Sequence, residues 1–143
     1  MATPYSDVIN SFLGKITDYE LPLLETDRDS IVISYMHSAN SKFKRICLVD
    51  LTDVDEDLKQ FNQDLDDEII DIITETMIVE WLKPKLYSLE NLRNVLNTKD
   101  FTQFSPANLL DKIQATYKEA KLESKRMMNN YSHYHGKVDE ITQ

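Results

Sequence analysis

The sequence predicts an all-α fold: a compact bundle of about four to five helices with a long C-terminal helix and a flexible C-terminal tail. Three observations carry this. Apolar residues recur at helical spacing along most of the chain. Glycine and proline occur two and four times, too rarely for the many tight turns of an all-β sandwich. Hydrophobic residues make up 41% of 143 positions, which suits one core in one domain of ordinary size. The expected division is a single helical domain over residues 1–132 and a tail over 133–143.

The first helix is expected from about Pro4 to Thr17. Tyr5, Val8, Ile9, Phe12, Leu13 and Ile16 fall on one stripe, and Pro4 suits a first-turn position because its missing amide proton has no helical acceptor there. Leu21-Pro22 marks a break. A second helix starts near Thr26 or Asp27, either of which can cap it. Ile31, Val32, Tyr35, Met36, Ala39, Phe43 and Ile46 form its apolar face, and Lys42, Lys44 and Arg45 sit at its C-terminal end, where cations oppose the helix dipole.

From Cys47 to about Leu65 the periodicity fades, and an exposed acidic loop is expected. A third helix begins near Asp66, with acids in its first turn and apolar residues covering more than one stripe from Ile69 to Leu82. It is the candidate central helix. Pro84 is expected to end or kink it near Lys83, with a short fourth helix carrying Leu86, Leu89, Leu92, Val95 and Leu96 beyond. NTKDFTQF at 97–104 reads as a connector. Ser105-Pro106 is a capping hydroxyl followed by proline at the first helical position. The last helix runs to about Tyr131. Leu110, Ile113, Tyr117, Ala120, Ser124, Met127 and Tyr131 alternate steps of three and four, a stripe that weakens at Ser124 and fits a neighbour in the same chain or another. YSHYHGKVDEITQ reads as the flexible tail.

The net charge of −9 is local. Residues 53–75 hold ten acids and one base, while the other 120 positions balance fifteen against fifteen. Such a segment argues against a nucleic-acid-gripping surface there. No run of about 18 apolar residues marks a membrane span, and MATPYSDVIN lacks a basic region followed by an apolar core, so no secretory signal is expected. A single cysteine cannot form an internal disulfide, and an intracellular origin is the default expectation.

The chemistry-bearing residues are few. Asp53, Asp55, Asp57 and Asp64 fall at positions 1, 3, 5 and 12 of a calcium loop. Leu58 occupies the position that calls for glycine, and Asp64 is shorter than the bidentate glutamate, so the expected role is a solvated acidic loop and no metal site is assigned. His133 and His135, with His37 remote, have no clustered cysteine or carboxylate beside them. Cys47 follows Lys44 and Arg45 but has no evident histidine partner, so a structural thiol is expected. No Gly-rich phosphate loop exists, Gly14 and Gly136 being the only glycines. Neither a catalytic residue nor a cofactor site is assigned. Trp81 is expected in the core. Met127, Met128, Tyr131 and Tyr134 fit either core or a partner-binding surface, because they end a long helix and lead into a polar tail.

FNQDLDDEIIDIITETMIVEWLKP at 61–84 and NTKDFTQFSPANLL at 97–110 resemble small structural proteins of tailed bacteriophages, the head–tail connectors, also called adaptors or head-completion proteins. The similar region spans about 48–132. The resemblance implies a mostly helical ring subunit of the virion neck, assembled in the host cytoplasm, that docks on the portal protein and extends the DNA channel. Further implied partners are copies of itself and a neck or tail-completion protein, with DNA passing unbound and no membrane involved. It also implies that residues from His133 to Gln143 reach the portal, so Met127, Met128, Tyr131, His133, Tyr134 and His135 become candidate partner-binding positions. Asp53, Asp55, Asp57 and Asp64 then face the lumen or a neighbouring subunit. The competing expectations are a regulatory or chaperone-like helical adaptor that binds its partner transiently, and a metal-dependent enzyme or calcium-responsive module using the loop over residues 53–64.

Overall fold

Helical periodicity at both ends of the chain folds as the spacing predicts, but the N-terminus first makes a short extended pairing. The computed structural model describes residues 2–17, 29–95 and 105–135. Strand β1 (Thr3–Pro4) leads directly into helix α1 (Tyr5–Thr17), followed by α2 (Asp29–Phe43), strands β2 (Val54–Asp55) and β3 (Gln60–Phe61), and helices α3 (Asp67–Val95) and α4 (Ser105–Tyr134). The protein is all-α, with one small antiparallel sheet of order β1-β3-β2. Thr3 and Val54 both pair with Phe61. Pro4 therefore belongs to the sheet, one residue before the helix that the sequence has it start.

Helix α3 is the hub, packing on α1, α2 and α4. Its start is capped by Asp66, whose Oδ1 accepts the Ile69 amide at 2.9 Å, leaving Asp67 and Glu68 in the first turn where negative charge is favourable. All eight residues from Ile72 to Val79 are buried. Such all-round burial is possible only for a helix with neighbours on every side. The polar members are matched: Thr76 Oγ1 meets Ser124 Oγ at 2.6 Å and donates back to the Ile72 carbonyl at 2.8 Å, and Glu75 pairs with Lys15 at 3.3 Å.

Pro84 neither ends α3 nor separates a fourth short helix; the element continues unbroken for 29 residues. A proline inside a helix removes one hydrogen bond and crowds the carbonyl four residues back. Here Trp81, Leu82 and Leu86 are buried on its flanks, and the Lys85 ammonium lies 3.4 Å from the Trp81 carbonyl. Tertiary burial outweighs the local penalty.

The apolar stripe of α4 lies on α3: Leu110, Ile113, Ala120, Ser124 and Tyr131 are buried, with Tyr117 and Met127 packed at the margin. Ser124, where the stripe weakens in sequence, is the partner of Thr76. Aromatic rings tie the layers. Phe12 is edge-on to Trp81 at 6.1 Å, Tyr5 to Phe61 at 5.2 Å, and Phe43 to Tyr131 at 5.0 Å. Trp81 is 3% exposed and belongs to this core. On α2, Val32, Met36, Ala39 and Phe43 are buried as predicted, whereas Ile31 is exposed. The Leu21-Pro22 break, the helix start near Thr26, the connector 97–104 and positions 136–143 lie outside the described residues.

Candidate functional site

The acidic stretch is a hairpin, not an irregular loop. Asp55 Oδ1 accepts the amides of Asp57 and Leu58, both at 3.0 Å, so its side chain substitutes for a backbone turn acceptor. Lys59 takes a left-handed conformation, φ 52°, and its carbonyl accepts the Tyr5 amide at 2.9 Å, satisfying an N–H that the first turn of α1 leaves unpaired. Thr3 Oγ1 donates to the Gln63 carbonyl at 3.1 Å and accepts the Leu65 amide at 2.9 Å, fastening the hairpin's return strand to the N-terminus.

These bonds explain why the calcium-loop spacing has a different use. Asp53 holds the side-chain amides of Asn62 at 2.9 Å and Gln63 at 3.4 Å, and Asp55 is committed to the turn. Asp57 and Asp64 are exposed. Among the described residues, no three His, Cys, Asp or Glu side chains are grouped as a metal ion requires. Glu56 receives the Tyr5 hydroxyl at 3.3 Å and lies 3.4 Å from His37 Nε2. Burial pushes the Tyr5 phenol up to about 12, with Glu56 adding to the shift. At the tip, Leu58 is 67% exposed, an apolar side chain set among carboxylates.

The C-terminal candidates divide. Tyr131 is only 2% exposed. Its hydroxyl accepts the Leu48 amide at 3.1 Å and lies 3.9 Å from Cys47 Sγ, while burial pushes its phenol up to about 12. His135 stacks on the Tyr131 ring at 4.4 Å, and its Nε2 meets Glu68 Oε1 at 2.6 Å. Helix α4 thus extends past the expected end at Tyr131, because His135 is one turn beyond Tyr131 on the same stripe. Tyr131 is used inside its own chain and offers no free surface, and positions 133–135 are ordered here, not part of a tail. Met127 and Met128 are half-buried against the core. His133 and Tyr134 face solvent, Tyr134 with 75% of its surface.

Sequence reasoning missed a third feature. Between α2, α3 and α4 lies a cleft of about 310 Å³ whose apolar wall is Val79, Tyr117 and Met128. Lys42, Lys83, Lys121 and Lys125 surround it, and no carboxylate lines it. Glu80, at its edge, pairs with Lys42 and, at 3.4 Å, with Lys83. Lys121 lies over the Tyr117 ring at 5.9 Å. The four lysines come from three helices, so linear charge counting sees a balanced region. Only the one-turn spacing of Lys121 and Lys125 is visible in one dimension.

What these features define is an all-α protein with an acidic hairpin and a basic cleft. No family model matches the chain, nor does any curated protein or solved structure. No helix among the described residues is long and apolar enough to cross a membrane.

Proposed function

We propose that the chain is a structural head–tail connector (adaptor) of a tailed phage, a subunit of a ring that docks on the portal and extends the DNA channel towards the tail. The observation that carries this reading is the presence of two separate, oppositely charged surfaces, the acidic hairpin and the lysine cleft. A ring of identical subunits needs two different, complementary patches on each copy. The resemblance of residues 61–84 to connector proteins supports it; that segment holds Phe61 of β3 and much of the central helix. Its partners are the portal protein, copies of itself and a further neck protein. DNA passes through without sequence-specific contact, and the subunit acts without catalysis. His133 and Tyr134, exposed at the end of α4, are the positions assigned to portal contact.

The transient regulatory or chaperone-like adaptor is favoured by one observation, the same exposed Tyr134 beside half-buried Met127 and Met128, since such residues are enriched at binding surfaces. Mass spectrometry of gradient-purified particles, with cross-linking to the portal, separates the two. The connector reading expects ring-like copy number and links from the α4 end to the portal. Absence from particles overturns it in favour of the transient adaptor.

A further inference from the structure

We propose that the hairpin of one copy, with Leu58 at its tip, docks in the lysine cleft of a second copy. This inference rests on the ring reading and names the surface that joins neighbouring subunits.

Three properties match. The hairpin tip presents an exposed leucine flanked by Asp55, Glu56 and Asp57, and the cleft presents an apolar wall ringed by four lysines, of which Lys42 and Lys83 share Glu80. An apolar centre inside a rim of opposite charges is how specific interfaces are built, the charges setting register and encounter rate. The hairpin is also held in shape before binding, by the Asp55 turn, the left-handed Lys59 and the Thr3 bonds. A preformed loop loses less freedom on docking than a mobile one.

The way the hairpin is tied favours a contact between copies. The hairpin is fastened beside the start of α3 through Thr3, Gln63 and Leu65. On α3 the cleft is lined from Thr76 to Lys83, beginning nine residues, about 14 Å along the axis, beyond the Asp67 start of the helix. The Tyr5 amide and the Thr3 bonds hold the hairpin at that end of the helix, which disfavours docking into its own cleft. Because hairpin and cleft are different surfaces, a pair of copies keeps one hairpin and one cleft unused, so the association is head-to-tail and propagates until it closes.

The test uses the full-length chain as an equal mixture of isotope-labelled and unlabelled protein, treated with a carbodiimide that joins carboxylates to lysines in contact. The expected result is mixed-isotope links from Glu56 or Asp57 to Lys121 or Lys125. Their yield falls about tenfold or more in Leu58→Asp. The double variant Lys121→Glu, Lys125→Glu lacks the linked amines, so its loss of self-association is read by sedimentation. Both changes lie on exposed positions and leave circular dichroism unchanged. Mixing the two variants restores links in one direction only, from the hairpin of the lysine variant to the cleft of the Leu58→Asp chain. Absence of mixed-isotope links, links within one chain only, a yield unmoved by Leu58→Asp, or self-association unmoved by the lysine variant overturns the proposal. The particle measurement is independent. Ring-like copy number with links elsewhere sinks this interface but not the connector. Hairpin-to-cleft links in a chain absent from particles keep the interface and sink the connector.

Discussion

Tyr131 joins three parts of the molecule through one side chain: its hydroxyl holds the Leu48 amide, its ring meets Phe43, and His135 stacks on it. Tyr131→Phe keeps the ring and leaves the Leu48 amide without that acceptor. Leaving a part-buried donor unmade costs about 1–3 kcal/mol, so the denaturant midpoint is expected to fall with an unchanged slope; an unchanged midpoint means water replaces the hydroxyl. The same phenol gives a pH dependence. Tyr5 and Tyr131 are both pushed up to about 12, chiefly by burial, against about 10 in an unfolded chain. Below pH 10 both states keep these protons, and the groups add no pH dependence. Between about 10 and 12 the unfolded chain releases protons that the fold retains, so stability falls as pH rises. The informative measurement is the difference between wild type and Tyr131→Phe. The alkaline fall in Tm is expected to be shallower in the variant.

At the scale of elements, the α3–α4 pairing and the hairpin make separate predictions. Thr76 and Ser124 satisfy each other at 2.6 Å in the interface between the two longest helices. Ser124→Ala removes one partner and is expected to cost about 1–3 kcal/mol. Adding Thr76→Val costs less than the sum of the singles, because the shared Thr76–Ser124 contact is lost only once; strict additivity in a double-mutant cycle contradicts the coupling. Pro84→Ala restores a helix donor and is expected to stabilise by about 1–3 kcal/mol in chemical denaturation. Loss of stability instead means that the flanking burial of Trp81 and Leu86 depends on a bend set by the proline. For the hairpin, Thr3→Val removes both bonds that Thr3 makes to Gln63 and Leu65. Faster amide hydrogen exchange is expected at Leu65 and Asn62, with α4 amides unaffected, since local opening is confined to the unit that lost its bonds.

Across the whole molecule, the charge combines an acidic segment over residues 53–75 with a lysine-rich junction of three helices. Exposed charges act over about 8–10 Å at physiological salt, so encounters between copies are expected to weaken as ionic strength rises. Sedimentation at two salt concentrations checks this: self-association that strengthens with salt points to an apolar interface elsewhere, such as the exposed Leu122 or Tyr87. The stripe on α4 that was free to serve a partner is closed against α3. The hairpin tip and the lysine cleft are charged surfaces with small apolar centres.

Much of this arrangement was legible in one dimension. Periodicity placed α1 and α2, the dense apolar run marked α3 as central, the Ser105-Pro106 pair marked the onset of α4, and the stripe from Leu110 to Tyr131 named its buried face. These signals are local, because neighbours at three and four positions share a face on any helix. Three things were decided only in three dimensions. Pro84 stays within α3 because burial on both sides outweighs one missing hydrogen bond, and that burial comes from other elements. The acidic stretch becomes a hairpin because Thr3, some sixty residues away, supplies its third strand and its anchor. The lysine cleft exists because three helices bring together charges that the linear chain keeps apart, and its pairing with Leu58 depends on the same long-range packing.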